Sequence, residues 1–186
     1  MPKTEAIIKI ENVVASASLN QKVELNAVVK GYPGVEYRPE RFPGLVFRLK
    51  RPKTATLIFS TGKMVCTGAK TGKESHRAVM KVVKELKNSG IIIMGKPDIK
   101  VVNIVASAKL GGKIDLEKAV FSLEKTMYEP EQFPGLIYRM AEPKVVILIF
   151  ASGNLVCTGG KREQDVYDAV HKLHIELEEK ELIFYE

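Results

Sequence analysis

The chain has 186 residues, enough for one domain or two small ones, and its 45% hydrophobic and 27% charged residues exclude a disordered or low-complexity protein. Lys and Arg outnumber Asp and Glu by 29 to 22, so the net charge of +7 makes polyanions the first partners to consider. Two cysteines without a disulfide framework, no signal-peptide pattern and only short apolar runs lead us to expect an intracellular protein without membrane contact.

The predicted elements occur in the same order in each half of the chain. A β-rich run over 7–19 precedes a short helix near 23–29, three or four short strands and a long amphipathic helix. The second half begins again with a β-rich run over 99–110 and a short helix over 114–123. Pro-Gly, Thr-Gly and Ser-Gly turns separate the short strands, as is typical of antiparallel hairpins. We therefore predict an α+β fold with the helices on one face of an antiparallel sheet.

An internal repeat explains this order. Shifting the sequence by 91 residues aligns 12–87 with 103–178 without a gap, and 33 of the 76 aligned positions are identical. A long period that is present only twice indicates a duplicated domain with approximate two-fold symmetry between its halves. We place the first repeat at 1–90 and the second at 91–186, with a linker near 89–98.

The predicted strands are uncharged on both faces. No Asp, Glu, Lys or Arg occurs in 12–19, 54–60, 64–69, 145–152 or 155–160. Alternation of side chains divides the residues of these strands between two faces. The face against the helices contains Val13, Ile58, Met64 and Cys66. The other face contains Asn12, Val14, Leu57, Phe59, Val65 and Thr67. Something must cover this second, neutral face. The alternatives are duplex DNA and a second sheet or dimer partner.

Basic residues surround the neutral face at strand ends and turns of the first half, namely Arg48, Lys50, Arg51, Lys53, Lys63 and Lys70. A neutral floor with a basic rim suits a reader of duplex DNA, because the rim can hold phosphates while the floor meets base edges. The floor of the minor groove offers mainly acceptors, which suits Asn, Thr, Val and Leu. Phe42 and Phe133 precede Pro-Gly turns, where side chains tend to be exposed, whereas core aromatics are the alternative interpretation.

Three motifs carry a family resemblance, and they are NVVA at 12–15, EQFPGLIYR at 131–139 and LIFASG at 148–153. Over nearly its whole length the chain resembles the TATA-box-binding proteins, a family of general transcription factors. Phe-Pro-Gly-Leu in both repeats and a short N-terminal stretch resemble archaeal members more than eukaryotic ones. The resemblance implies one curved, saddle-shaped antiparallel sheet of about ten strands with four helices on its convex face. It also implies a cytoplasmic, nucleoid-associated protein of an archaeal cell, or a nuclear one if the source is eukaryotic.

The resemblance also implies roles for particular residues. Contacts to base edges and the groove floor are expected from Asn12, Val14, Leu57, Val65, Thr67, Asn103, Val105, Leu148, Val156 and Thr158. Wedges between base steps are expected from Phe42, Phe59, Phe133 and Phe150. Phosphate contacts are expected from Arg41, Arg48, Thr61, Lys63, Lys70, Arg139, Ser152 and Lys161. Such a protein would bend TATA-containing promoter DNA and begin assembly of the initiation complex with transcription factor B and RNA polymerase.

The two halves differ in charge. Residues 1–90 contain 17 basic and 7 acidic residues, against 12 and 15 in residues 91–186, so the first half should supply most of the salt-dependent affinity. The hairpin tip before the first Phe-Pro-Gly is basic, whereas its counterpart contains Glu129 and Glu131. The resemblance implies that these two carboxylates contact transcription factor B, and the contact would set the polarity of the complex on DNA.

Other signals are weak. No arrangement of nucleophile, base and acid indicates an enzyme, and we expect no cofactor. Asp168, His171 and His174 follow one another at helical spacing, which we interpret as a solvated or partner-binding face rather than a metal site. Cys66 and Cys157 are predicted to be small core residues. A symmetric protein-interaction scaffold that dimerises through the neutral face stays open as an alternative, as does self-dimerisation of the free protein.

Overall fold

The computed structural model describes residues 1–186, which form two compact units. The first unit consists of Asn12–Val102, and the second combines Met1–Glu11 with Asn103–Glu186. The first eleven residues thus belong to the same unit as the second half of the sequence. The expected boundary between repeats at residues 90 and 91 stays a prediction, because compact units and sequence repeats divide the chain in different ways.

The first unit contains an antiparallel array of strands in the order β2-β3-β4-β1, with two helices. Its elements are β1 (Ile7–Ser18, of which residues 12–18 belong here), α1 (Leu25–Gly31), β2 (Leu45–Lys50), β3 (Lys53–Ile58), β4 (Lys63–Ala69) and α2 (Gly72–Asn88). Each element matches the predicted order.

The second unit repeats this arrangement, with strand order β5-β10-β9-β8-β7 and a separate pair, β11-β6. Its elements are β5 (Asp98–Lys109, from residue 103 on), β6 (Lys113–Ile114), α3 (Leu116–Ser122), β7 (Thr126–Met127), β8 (Leu136–Met140), β9 (Val145–Ile149), β10 (Asn154–Gly160), α4 (Glu163–Glu179) and β11 (Ile183–Phe184). The predicted α+β class with tandem antiparallel repeats and four helices is confirmed.

The long helix α2 covers one side of the strands in the first unit. Thr71 caps the helix, since its hydroxyl accepts from the Glu74 amide at 3.0 Å. The apolar stripe of α2 is buried, as are the strand residues assigned to the helix-facing side, namely Val13, Ile58, Met64 and Cys66. The predicted division of side chains between the two faces is therefore confirmed. None of the four helices is both long and apolar enough to cross a membrane.

Both cysteines are free and buried, as predicted. Burial raises the pKa of the Cys66 thiol and raises that of Cys157 to about 11. Both thiols consequently stay protonated near neutral pH, so they pack as small apolar side chains and not as nucleophiles.

A buried histidine ties the second unit together. His174 of α4 is 1% exposed, and its Nε2 lies 2.8 Å from the Tyr185 hydroxyl and 3.4 Å from the Thr4 hydroxyl. The Tyr185 hydroxyl donates to the Glu178 carboxylate, which also accepts from the Lys3 amide at 2.7 Å. The cluster therefore joins the first residues, helix α4 and the end of the chain.

The prediction of a solvated helix face is wrong for His174 and right for Asp168 and His171, which are exposed. The reason is that Thr4, which is 170 residues away in sequence, and Tyr185, which follows the end of α4, cover His174.

The His174 cluster should make the stability of the protein depend on pH. Burial lowers the pKa of His174 from its ordinary value of 6.5, with the Glu178 carboxylate opposing the shift and His171 adding to it. The unfolded chain then binds the proton more readily, so stability is full above about pH 6.5 and falls as the pH drops below it. We expect the free energy of unfolding, measured by denaturant titration between pH 7.5 and 5, to fall by at most ~1.4 kcal/mol per pH unit from this group.

The control for this prediction is another histidine. The variant His174→Gln should flatten the pH dependence, whereas His76→Gln, on the exposed side of α2, should leave it unchanged. Equal slopes for the His174→Gln variant and the wild type would contradict the assignment.

Candidate nucleic-acid interface

The side of the strands that faces away from the helices has a group of uncharged, half-buried residues in each unit. We call it the neutral face, and in the first unit it comprises Asn12, Val14, Leu57, Phe59, Val65 and Thr67. In the second unit it comprises Asn103, Val105, Leu148, Phe150, Val156 and Thr158. Leu57 lies opposite Val65, and Leu148 lies opposite Val156, so each pair forms one apolar patch. All the residues predicted to contact bases and the groove floor therefore lie on the neutral faces, while their contacts with DNA stay predictions.

One asparagine stands on each neutral face with its amide held by the neighbouring strand. The oxygen of Asn12 accepts from the Gly68 amide at 2.7 Å, and its nitrogen donates to the Thr67 hydroxyl at 2.9 Å. In the second unit the Asn103 oxygen accepts from the Gly159 amide at 2.7 Å and from the Thr158 hydroxyl at 3.3 Å. The predicted Asn–Thr pairs are thus in direct contact.

Two phenylalanines meet at the same place in each unit. The ring centroids of Phe42 and Phe59 are 5.8 Å apart with an interplanar angle of 65°, and those of Phe133 and Phe150 are 5.8 Å apart at 67°. This edge-to-face contact is favourable for aromatic pairs. Phe42 and Phe133 are 42% and 38% exposed, so the prediction of exposed side chains before the Pro-Gly turns is confirmed. Each unit thus presents an apolar aromatic group to solvent.

Glycine makes room for each aromatic pair. A Cβ at Gly44 would lie 2.6 Å from Phe42 and 3.0 Å from Phe59, and a Cβ at Gly135 would lie 2.7 Å from Phe133 and 3.0 Å from Phe150. The distances to Phe42 and Phe133 are shorter than normal packing allows, and those to Phe59 and Phe150 are tight. The Pro-Gly pattern indicates only a turn at these glycines, whereas their identity in both repeats is a signal of this packing role.

The predicted phosphate contacts are all exposed, and they are Arg41, Arg48, Thr61, Lys63, Lys70, Arg139, Ser152 and Lys161. The turns that carry Thr61 and Ser152 are alike, since each hydroxyl accepts from the amide two residues later, at 3.4 and 3.3 Å. That later residue is Lys63 in the first unit and Asn154 in the second, so one unit lacks a cation there. Arg48 lies 3.6 Å from the Glu36 carboxylate, an exposed ion pair of small energetic value.

The hairpin tips have the same backbone and opposite charge. The amide of Phe42 donates to the Arg38 carbonyl at 3.0 Å, and the amide of Phe133 donates to the Glu129 carbonyl at 3.0 Å. Glu129 and Glu131 are exposed. The second tip thus offers two carboxylates to a partner, whereas the first tip offers Arg38 and Arg41 beside Glu40. No group of three or more His, Cys, Asp or Glu is arranged to hold a metal ion.

Comparison with known proteins decides the family. The model of the family described as Transcription factor TFIID (or TATA-binding protein, TBP) matches twice, over residues 7–89 and 98–180. The chain belongs to the TATA-binding protein family. Members of this family are transcription factors, which is a non-enzymatic class of protein.

Similar members of the TATA-binding protein family come from archaea. The chain is 52% identical over 179 residues to the TATA-box-binding protein of Sulfurisphaera tokodaii, covering 96% of this chain and 90% of that one. It is 54% identical over 176 residues to that of Pyrodictium occultum, covering 95% and 87%. A solved structure, Methanococcus jannaschii TBP, matches with a TM-score of 0.83 and 48% identity over 92% of this chain and 98% of that one. The fold expected from the sequence resemblance is therefore confirmed.

The second unit has Asn154 where the first has Lys63, and this difference in charge predicts a difference in salt dependence. Lys63→Ala should lower the slope of log Kd against log salt concentration by about one unit for a TATA duplex, because one phosphate contact disappears. Fluorescence anisotropy at salt concentrations from about 50 to about 300 mM measures this slope. Asn154→Ala is the matched control and should leave the slope unchanged; an unchanged slope for Lys63→Ala would remove this lysine from the phosphate contacts.

Proposed function

We propose that the chain is a general transcription initiation factor that binds the minor groove of TATA-box promoter DNA and bends it. The observation that carries the proposal is the neutral face repeated in each unit, which combines an oriented asparagine amide, an apolar patch and an exposed phenylalanine pair. The family membership supports the same conclusion. DNA would cover a surface that a free protein otherwise leaves open to water.

The neutral face has the chemistry of the minor groove of an A·T-rich duplex. That groove presents N3 and O2 acceptors, with sugar edges along its walls. Amide nitrogens of Asn12 and Asn103 can donate to these acceptors, while Val, Leu and Thr side chains contact the rest of the floor. No carboxylate lies among the residues of either neutral face, so no like charge opposes the phosphates there.

The phenylalanine pairs would supply the bend. Minor-groove proteins of this family insert apolar side chains between base steps and thereby kink the duplex toward the major groove. Phe42 and Phe133 are exposed, and each is braced edge-to-face by a second ring, so the wedge does not need to reorganise before it enters a step. Phe59 and Phe150 are those bracing rings, and each would wedge into the same base step as its partner.

The acidic tip would set the direction of assembly. Two nearly equivalent neutral faces can bind a nearly symmetric TATA element in either orientation. We infer that Glu129 and Glu131 contact a basic surface of transcription factor B, which then recruits RNA polymerase on one side. The archaeal relatives support a site of action on the nucleoid.

DNA bending can be tested with a duplex that carries one dye at each end. Titration with the protein should give selective binding to a TATA duplex over a scrambled one, with a shorter distance between the dyes. The double variant Phe42→Ala with Phe133→Ala should lose most of that shortening, because the wedges are gone. Phe121→Ala is the matched control, since Phe121 is 90% exposed but lies on α3, outside the neutral face.

Weak, sequence-blind binding without shortening would contradict the proposal. If the free protein then also formed a dimer in sedimentation at the same concentrations, a protein-interaction scaffold that dimerises through the neutral face would be the better description.

The acidic tip makes a separate prediction for the complex with transcription factor B. Glu129→Lys with Glu131→Lys should leave binding to the TATA duplex unchanged and weaken the ternary complex by ~10-fold or more, because like charges then face each other. Anisotropy titration of the factor into the preformed binary complex measures this effect. Glu40→Lys, at the position in the first tip equivalent to Glu131, is the control. Undiminished ternary assembly with the charge-reversed tip would sink the assignment.

A further inference from the structure

Each neutral face contains one break in strand register, and it falls at equivalent positions of the two repeats. In the first unit Val13 pairs with Ala69 and Ala15 with Cys66, so two residues of β4, Thr67 and Gly68, lie opposite one residue of β1. This two-against-one arrangement is a β-bulge, a feature that re-aims side chains next to functional sites.

The second unit has the same bulge. Ile104 pairs with Gly160 and Ala106 with Cys157, which leaves Thr158 and Gly159 opposite a single residue of β5. The bulge glycines have positive φ angles, +104° at Gly68 and +102° at Gly159, a conformation that favours glycine.

The bulge fixes which end of each asparagine amide is exposed. At each bulge the glycine N–H donates to the asparagine oxygen at 2.7 Å, at Gly68 to Asn12 and at Gly159 to Asn103. An N–H can bond only to the oxygen end, so the amide cannot rotate without losing this hydrogen bond. The amide nitrogen keeps N–H groups for a ligand: one N–H of Asn12 donates to the Thr67 hydroxyl and its second N–H has no protein partner, and neither N–H of Asn103 has one.

We propose that Gly68 and Gly159 are positioning residues for base discrimination, because they make Asn12 and Asn103 present donors, and only donors, to the minor groove. This inference rests on the proposed function. An A·T pair offers acceptors to such a donor, whereas a G·C pair adds the guanine N2 amino group, itself a donor. Two donors that face each other in a water-excluded interface leave both unsatisfied, so the G·C pair is rejected.

The orientation of the amide sets the sign of this preference. With the amide rotated, its oxygen would face the groove, accept from the guanine amino group and meet the A·T acceptors unfavourably. An asparagine at these positions therefore does not by itself determine the preference for A·T pairs. The glycine N–H behind it determines that preference, because it fixes the orientation of the amide.

Inosine provides a direct test, because an I·C pair lacks the guanine amino group in the minor groove but keeps the acceptors of a G·C pair. Each A·T pair of a TATA duplex is replaced in turn by G·C or by I·C, and Kd is measured by anisotropy. At the pairs that the two amides reach, we expect G·C to weaken binding by ~10-fold or more and I·C to bind nearly as tightly as A·T.

Variants of both partners then test the role of the bulge. Asn12→Asp and Asn103→Asp keep an acceptor for the glycine N–H but turn the exposed donor into an acceptor, so the G·C penalty should vanish or reverse at that pair. Gly159→Ala strains a positive φ without a contact closer than 3.5 Å, and it should reduce the G·C penalty only at the pair that Asn103 reaches. Gly90→Ala is the control, since Gly90 has φ +94° and its added Cβ would meet nothing within 4 Å.

The outcomes separate the inference from the proposed function. No selective binding of the TATA duplex by the wild-type protein would overturn both. Selective binding with equal penalties for G·C and I·C would overturn the inference alone. The inference would also be overturned if Gly159→Ala weakened binding to all duplexes by the same factor, because that result indicates a purely structural residue. If Gly159→Ala fails to fold, the two aspartate variants still decide the question, because retained discrimination against G·C in both would refute it.

Discussion

Strand segments without charge on either side, such as 54–58 and 64–69, impose the constraint on which this molecule depends. The helices bury one side, and Val13, Ile58 and Met64 supply the apolar atoms for that core. The other side, with Val14, Leu57 and Val65, has nearly the same apolar character but no helix over it. Such a surface contributes a favourable free energy of burial only when another molecule covers it. Binding would therefore bury apolar area that folding leaves exposed.

The asparagines show how polar groups are tolerated on this surface. A side-chain amide that enters a dry interface loses water from both its oxygen and its nitrogen, and an unpaired group there is costly. For Asn12 and Asn103 the oxygen is already paired with a backbone N–H of the bulge. In the proposed complex only amide N–H groups would then need partners from the DNA, which lowers the desolvation cost of binding.

Much of this could be predicted from the sequence, because its strongest signals are local or repeated. The 91-residue repeat, the alternation along each strand and the Phe-Pro-Gly turns predicted the order of elements, the neutral face and the exposure of Phe42. The cover over His174 comes from Thr4 and Tyr185, which no local pattern connects with α4. The bulge was likewise missed, since an extra residue in β4 is defined only by its register with a strand far away in sequence. The packing role of Gly44 depends on two rings whose separation only the three-dimensional structure gives.

The second unit is built from two separate stretches of the chain, which has a consequence for folding during synthesis on the ribosome. Asn12–Val102 is a continuous stretch, so its strands and α2 can pair as soon as they emerge. Residues 1–11 precede that stretch, yet hydrogen-bond partners such as Leu110 and Glu178 follow it. These residues can therefore form those hydrogen bonds only after the residues of the first unit have been synthesised. The first unit can thus begin to fold on the ribosome while the second still lacks residues that it needs.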